Sequence, residues 1–210
     1  MSSDDDLFRR WIDGDARAGE ELVERHYASV DRLFRFKVGE EQGRDLTQAT
    51  FEALQSTLSR FRGQSGFRTW LFGIARNKLL GYMRNRVRDQ RRFDPSANSV
   101  ADLGPSPSSL VDVERRQKLL LGALRRLPVD VQLMLELHYW ESMSIAEIAK
   151  IVERPVNTVK TIMYRGRQRL DALMEELAET PELLESTHSG LSGWAARIRR
   201  ECGQGGADAP

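Results

Sequence analysis

Apolar positions along this chain recur at intervals of three and four rather than two, a period that predicts helices and gives no strand signal. Leu22, Val23, Tyr27, Val30, Leu33 and Phe34 form one stripe. Leu46, Ala49, Thr50, Ala53, Leu54 and Leu58 form a second, and Phe67, Leu71, Ile74, Ala75 and Leu79 a third. Between residues 93 and 112 the periodicity stops. That stretch is rich in Pro, Ser, Asp and Gly, and it cannot bury enough apolar surface to fold alone. It reads as a flexible acidic linker. Beyond it, Leu119, Leu120, Ala123, Leu124 and Leu127 open a second helical set that runs to Leu177. No segment repeats at the spacings of solenoid proteins. The expected fold class is all-α, with two small helical domains at 1–92 and 113–178 joined by the linker 93–112. The extension 179–210, with "LSGWAARIRRECG", reads as a short amphipathic helix or plain disorder.

A more specific pattern lies within the second set, at residues 144–170, "SIAEIAKIVERPVNTVKTIMYRGRQRL". Ser144 followed three residues later by Glu147 is the signature of a capping box at a helix start. Ile145, Ile148, Ala149 and Val152 give this short helix one buried face. Pro155 interrupts it, because the residue before a proline is pushed out of the α region. Asn157 is the expected N-cap of the next helix, whose inward stripe is Val159, Met163, Leu170 and Leu173. Two helices joined by a tight turn, with the small Ala149 where they cross, make a helix-turn-helix. Lys160, Thr161, Tyr164, Arg165 and Gln168 then face away from the stripe. Such a face suits the major groove, where long donors reach phosphates and base edges. An ordinary solvated helix face is the plainer reading, but such faces mix signs. From Arg154 to Leu170 there are five basic residues and no acidic one.

That concentration stands out because the whole chain of 210 residues has a formal net charge of only +1. Residues 84–92, "RNRVRDQRR", are strongly basic; 93–114 hold four acids and no base; Asp171 to Glu185 again carries acids without a Lys or Arg. Alternation on this scale predicts separate surfaces with separate partners. Hydrophobic residues at 40% and charged residues at 30% describe a soluble globular chain. No apolar run nears the roughly 20 residues that span a bilayer, so no membrane insertion is expected. The N-terminus "MSSDDDLFRRW" lacks the features of a signal peptide, and Cys202 has no partner for an intramolecular disulfide, so the expected compartment is the cytoplasm.

Enzymatic classes find little support. His26, His138 and His188 are dispersed, without metal-ligand spacing to Cys202 or to paired acids. There is no P-loop, Rossmann glycine pattern or nucleophile elbow. Glu20 and Glu21, Glu40 and Glu41, and Glu175 and Glu176 read as solvated helix faces. No catalytic residue, metal or cofactor is expected.

The stretch "GRDLTQATFEALQSTLSRFRGQSGFRTWLFGIARNKLLGYMRNRVR" resembles conserved region 2 of the sigma-70 family, in its extracytoplasmic function (ECF) branch. "RLPVDVQLMLELHYWESMSIAEIAKIVERPVNTVKTIMYRGRQRL" resembles region 4 of that branch. Together they cover roughly residues 15–175, in the family's order. The resemblance implies a protein that binds core RNA polymerase, directs it to promoters and helps open the DNA, without catalysing a reaction itself. It places −35 recognition on Thr158, Lys160, Thr161, Tyr164, Arg165, Arg167 and Gln168. The loop Arg62, Gly63, Gln64 and Ser65, with Phe67 beside it, would take up a base flipped from the −10 element. Stacking on the Phe61, Phe67 and Trp70 wall would compensate the unpairing, although core packing is the simpler role for Phe67 and Trp70. Asn77 matches an asparagine common in this family and would hydrogen-bond base edges. Arg76, Lys78, Arg84, Arg86 and Arg88 would hold phosphates and make binding salt-dependent. Asp45, Gln48, Phe51 and Glu52 fall on the helix that grips the β′ coiled coil of the polymerase, and Leu124 to Trp140 on the part that meets the β flap. The acidic linker would run through the polymerase cleft. An anti-sigma factor is a further partner that the resemblance leaves open.

Three positions depart from the family pattern. Glu153 and Asn157 stand where glycine is common, and Ile162 where a basic residue is frequent. Asn tolerates left-handed geometry and caps well, whereas Glu153 is expected to strain the turn. Two other readings stay open on sequence grounds. One is a helix-turn-helix regulator that binds an operator as a dimer, and the other a sigma-like adaptor that has lost promoter recognition.

Overall fold

The computed structural model describes residues 2–61, 65–86, 94–101 and 115–178, and these form eight α-helices and one 3-10 turn. The all-α expectation holds: among the described residues the only β-type pairing is an isolated bridge between Ser99 and Pro128. The chain divides into two compact units, residues 1–82 and the residues from 83 onward.

The first unit opens with α1 (Asp4–Ile12), which the apolar stripes did not announce. Its signal was a cap. Ser3 precedes the helix and its side chain accepts from the Asp6 amide. α2 (Ala16–Val38) starts on Asp15, whose carboxylate accepts from the Arg17 and Ala18 amides. It ends at Gly39, with φ 96°, which also serves as the N-cap of α3 (Glu40–Thr57). A side chain at that φ would meet the steric penalty that glycine escapes, so one residue turns the chain between two antiparallel helices. Leu22, Val30, Leu33 and Phe34 of α2 are buried with Leu54 of α3 and Leu7 and Phe8 of α1. Full burial of such side chains contributes about 1.5–3 kcal/mol each. On α3, Thr47 and Thr50 are buried as well, and their hydroxyls donate to the carbonyls of Gly43 and Leu46. A 3-10 turn (Leu58–Arg60) follows, and α4 (Phe67–Arg86) buries Phe67, Leu71, Phe72, Ala75 and Leu79.

In the α2 stripe one position differs from expectation. Tyr27 is 43% exposed, while His26 beside it is buried at 7%. Leu22, His26 and Val30 are four apart, so they stack on one face, and Tyr27 falls to its flank. His26 can enter because Asp4 meets it, with Nε2 and Oδ2 2.8 Å apart.

The second unit holds α5 (Arg115–Arg125), α6 (Val129–Tyr139), α7 (Ile145–Ile151) and α8 (Val156–Leu177). α6 is its centre: Val129, Asp130 and Gln132 through Leu137 are all buried. Only Val131, His138 and Tyr139 on this helix stay half-buried, so its neighbours cover most of its surface. Its N-cap is Pro128, which offers no side-chain cap. The first two amides are satisfied from elsewhere, Val129 donating to the Asn98 carbonyl (2.9 Å) and Asp130 to the Pro95 carbonyl (2.9 Å). Those carbonyls belong to the segment expected to be a flexible linker. Residues 94–101 instead fold against α6, with Val100 1% exposed. Asp94 organises the turn, its carboxylate accepting from the Ser96 amide (2.8 Å) and hydroxyl (2.6 Å). These bonds, with Arg154 nearby, hold the Asp94 carboxyl below its ordinary value. The rest of the expected linker, 102–112, and the extension 179–210 lie outside the described residues.

Candidate nucleic-acid interface

α7 and α8 form the expected two-helix unit. The capping box is present in full: the Ser144 hydroxyl accepts from the Glu147 amide (3.3 Å), and the Glu147 carboxylate accepts from the Ser144 amide (2.8 Å). α7 then closes in a Schellman turn. Arg154 donates to the Ala149 carbonyl (3.0 Å) and Glu153 to the Lys150 carbonyl (3.4 Å). The residue that must be left-handed in such a turn is Glu153, at φ 55°. That accounts for the glycine common at this place, and the turn keeps its bonds with glutamate there. Arg154 also reaches back toward the buried Asp130 carboxylate, at 3.8 Å.

The start of α8 differs from expectation. Its N-cap is Pro155, not Asn157, and Val159 donates to the Pro155 carbonyl (3.0 Å). Proline's fixed φ already suits a helix entry, so the boundary falls at the proline itself. Asn157 lies in the first turn, exposed, and its carbonyl accepts from the Thr161 hydroxyl (3.1 Å).

α8 presents two faces. Val159, Met163, Gly166, Leu170 and Leu173 are buried. Thr158, Lys160, Thr161, Tyr164, Arg165, Arg167 and Gln168 are all exposed, Tyr164 at 66%. Among the described residues, Lys160 and Arg165 make no ion pair. Arg167 donates to the Tyr139 hydroxyl on α6 (3.3 Å), and Gln168 to the Tyr164 hydroxyl (3.1 Å). Arg167 is thereby held to one side, a geometry suited to a phosphate contact. The tether from Tyr139 was invisible in the sequence, since the two residues are 28 apart. Ile162 is half-buried and helps the core side rather than the open face.

In the first unit, Arg62, Gly63 and Gln64 lie outside the described residues. Ser65 is half-buried. Phe67, grouped in the sequence with possible base contacts, is 0% exposed and packs on Phe8 (centroids 5.2 Å apart) and His26 (5.4 Å). The structure therefore places it in the core, where no base can stack on it. Trp70 and Phe61 are half-buried, 4.9 Å apart, and both touch Phe8. On α4, Asn77 and Arg84 are exposed, and Arg76 and Lys78 half-buried; Arg86 is exposed and Arg88 lies outside the described residues.

A second surface lies on α3. Asp45, Gln48 and Glu52 are exposed at helical spacing on one face, with Gln48 donating to Glu52 (2.8 Å). Phe51 beside them is half-buried and stacks on Tyr27 of α2, centroids 6.0 Å apart at 11°. Tyr27 thus widens this patch, and the sequence stripe had assigned it to the core.

Among the described residues, no group of three His, Cys, Asp or Glu side chains is arranged to hold a metal ion, and no helix is long and apolar enough to cross a membrane. The helices with these surfaces coincide with two family models, Sigma-70 region 2 over residues 22–93 and Sigma-70 region 4 over residues 117–170. The chain belongs to the sigma-70 family. Within it, the chain is similar to the RNA polymerase sigma-H factor of Pseudomonas aeruginosa, 29% identical over 187 residues, covering 84% of this chain and 96% of the relative. It is similar also to the ECF RNA polymerase sigma-E factor of Haemophilus influenzae, 27% identical over 183 residues, covering 83% and 97%. Both likenesses run nearly the full length of the relatives, which places this sigma factor in the ECF branch. A solved structure of CnrH in complex with the cytosolic domain of CnrY matches with a TM-score of 0.54 and 26% identity, over 84% of this chain and 100% of that one.

Proposed function

We propose a division of labour for this sigma factor. It binds core RNA polymerase, brings it to promoters and takes part in opening the DNA, while the polymerase does the chemistry. The chain is no enzyme, and it works in the cytoplasm, where the polymerase is. Region 4 reads the −35 element with Thr158, Lys160, Thr161, Tyr164, Arg165 and Gln168, and Arg167 holds phosphate. Region 2 reads and opens the −10 element with Arg62, Gly63, Gln64, Ser65 and Asn77, and Arg76, Lys78 and Arg84 hold the backbone. Asp45, Gln48, Phe51, Glu52 and the added Tyr27 grip the β′ coiled coil, and Leu124 to Trp140 meet the β flap. A protein that masks these surfaces, an anti-sigma factor, is a further partner of this proposal; the likeness to CnrH, solved with a second protein bound, supports it.

The observation that carries the DNA reading is the acid-free exposed face of α8, from Thr158 to Gln168, held out by a capped and Schellman-closed turn. A solitary operator-binding regulator would share that face, but region 2 in the same chain has no place in such a regulator. Reconstituted with core polymerase, the protein should give specific initiation, and alone it should bind duplex promoter DNA weakly. Arg165→Ala or Lys160→Ala should cost about 1–3 kcal/mol at promoters whose −35 base each residue contacts. Loss at all sequences alike, with a salt slope flatter by about one, would mark a phosphate contact instead. The combined change Arg62→Ala, Gln64→Ala and Ser65→Ala should impair opening of duplex DNA and spare a template with a pre-opened −10 bubble. Tight, specific operator binding without polymerase would defeat the assignment.

A further inference from the structure

With Pro155 as the N-cap of α8, the side chain of Asn157 is released from capping. An N-cap asparagine turns its carboxamide onto its own backbone. Here Asn157 stands inside the first turn, exposed, and its carbonyl alone is engaged, by the Thr161 hydroxyl (3.1 Å). Among the described residues its carboxamide makes no hydrogen bond. Its place on the helix is specific. At about 3.6 residues per turn, Asn157, Thr161, Tyr164 and Gln168 line up along one edge of α8. That edge lies opposite the buried Val159, Met163, Gly166 and Leu170, and Asn157 is its N-terminal member. The neighbours on the edge are partly committed. The Thr161 hydrogen goes to the Asn157 carbonyl, and the Gln168 amide donates to the Tyr164 hydroxyl. Asn157 keeps both a donor and an acceptor side by side on one rigid plane.

A recognition helix laid in the major groove touches base edges with the residues of its N-terminal end. Each base shows a different pattern there. Adenine offers the N7 acceptor beside the N6 donor, guanine two acceptors, cytosine a donor alone, and thymine an acceptor and a methyl group. A carboxamide matches the adenine pattern with both of its ends. We propose that Asn157 is a specificity-determining residue of region 4, whose carboxamide selects an adenine in the −35 element by donating to N7 and accepting from the N6 amine. This rests on the reading of α8 as the −35 recognition helix. Lys160 and Arg165 on the same exposed side carry donors only, so they suit guanine or phosphate and cannot supply this preference.

The test uses full-length protein with core polymerase on a pool of promoters with a randomised −35 element and a fixed −10 element. Sequencing the barcoded transcripts gives the base preference at each −35 position. The parent is expected to favour adenine at one position. Asn157→Ala should lower that adenine preference by at least about fivefold and leave the preferences at other positions in place. Asn157→Asp keeps the size but only accepts, so the same position should turn toward cytosine, whose N4 amine donates. Preferences within one pool do not depend on how much active protein a variant supplies, so partial unfolding does not imitate either result. The proposal is overturned by a parent without an adenine preference, by one that survives Asn157→Ala, or by an Asn157→Asp variant that still favours adenine. Lys160→Ala and Arg165→Ala in the same pool separate the two layers. If they change −35 preferences while the Asn157 variants do not, this inference alone fails. If no change on α8 alters any −35 preference, the recognition-helix reading fails and takes this inference with it.

Discussion

Gly166 sits where α8 crosses α6, and replacing it tests whether that crossing holds the recognition helix in place. A Cβ built on Gly166 would overlap Val131 Cγ1, with Val131 Cβ and Leu135 Cδ1 both at 3.9 Å. Two effects oppose each other in Gly166→Ala. Alanine gains about 1 kcal/mol over glycine in a helix interior. Overpacking a well-filled contact costs about 1–3 kcal/mol. Val131 cannot step aside cheaply, because a β-branched side chain in a helix has one strongly preferred rotamer. Backbone must move, and the expected net loss is about 0–2 kcal/mol, or several degrees in Tm for a domain of this size. The sharper prediction is a change of sign. Val131 is only half-buried, so Val131→Ala should be mild. With that methyl gone, Gly166→Ala should stabilise by about 1 kcal/mol, since only the helix term is left. Thermal unfolding of the four variants, with amide exchange along α6 and α8 to localise the change, gives the double-mutant coupling. Stabilisation by Gly166→Ala in the presence of Val131, or the same effect in both backgrounds, would refute the close crossing.

Three further outcomes are expected. Glu153→Gly removes a left-handed conformation that costs about 1–2 kcal/mol for a residue with a Cβ, against about 0.5–1 kcal/mol for glycine's greater freedom when unfolded, so Tm should rise slightly; a fall would show that the turn is not strained. Burial alone would raise the Asp4 carboxyl, but the His26 charge and the Arg25 bonds hold it below 3.8. Its contribution is therefore present above that value and fades as pH falls through the folded pKa, so acid titration of region 2 should be shallower in Asp4→Asn than in the parent. An unchanged acid limb would remove Asp4 from the account. Val100→Ser should loosen residues 94–101 and speed amide exchange at Val129 and Asp130, whose acceptors are Asn98 and Pro95. Unchanged exchange there would mean that those carbonyls do not cap α6.

Local signals carried much of the reading. The α7 capping box, the stripe Val159, Met163, Leu170 and Leu173, and the opposite face from Lys160 to Gln168 all follow from spacing along one helix. Two features do not follow from such spacing. Asn157 carries the better capping side chain, but Pro155 sets the helical φ two residues earlier. The nine residues of α1 bury only Leu7 and Phe8, too few to make a stripe, although Ser3 and Asp6 mark its start.

The sequence by itself determined which faces of each helix are apolar, where several helices begin, and that one stretch is basic without acids. These are properties of neighbours within a turn or two, and helical geometry relates them directly. Only the tertiary structure decided that His26 rather than Tyr27 is covered, because an aspartate on another helix is there to meet the imidazole. Only it put backbone carbonyls from 95 and 98 onto the bare start of α6, and the Asp5 carboxylate onto the bare start of α4. An unmet amide at a helix end is visible in sequence as a missing cap. Which distant group fills it is not, because that group need only be an oxygen in the right place, and folding alone decides which oxygen arrives.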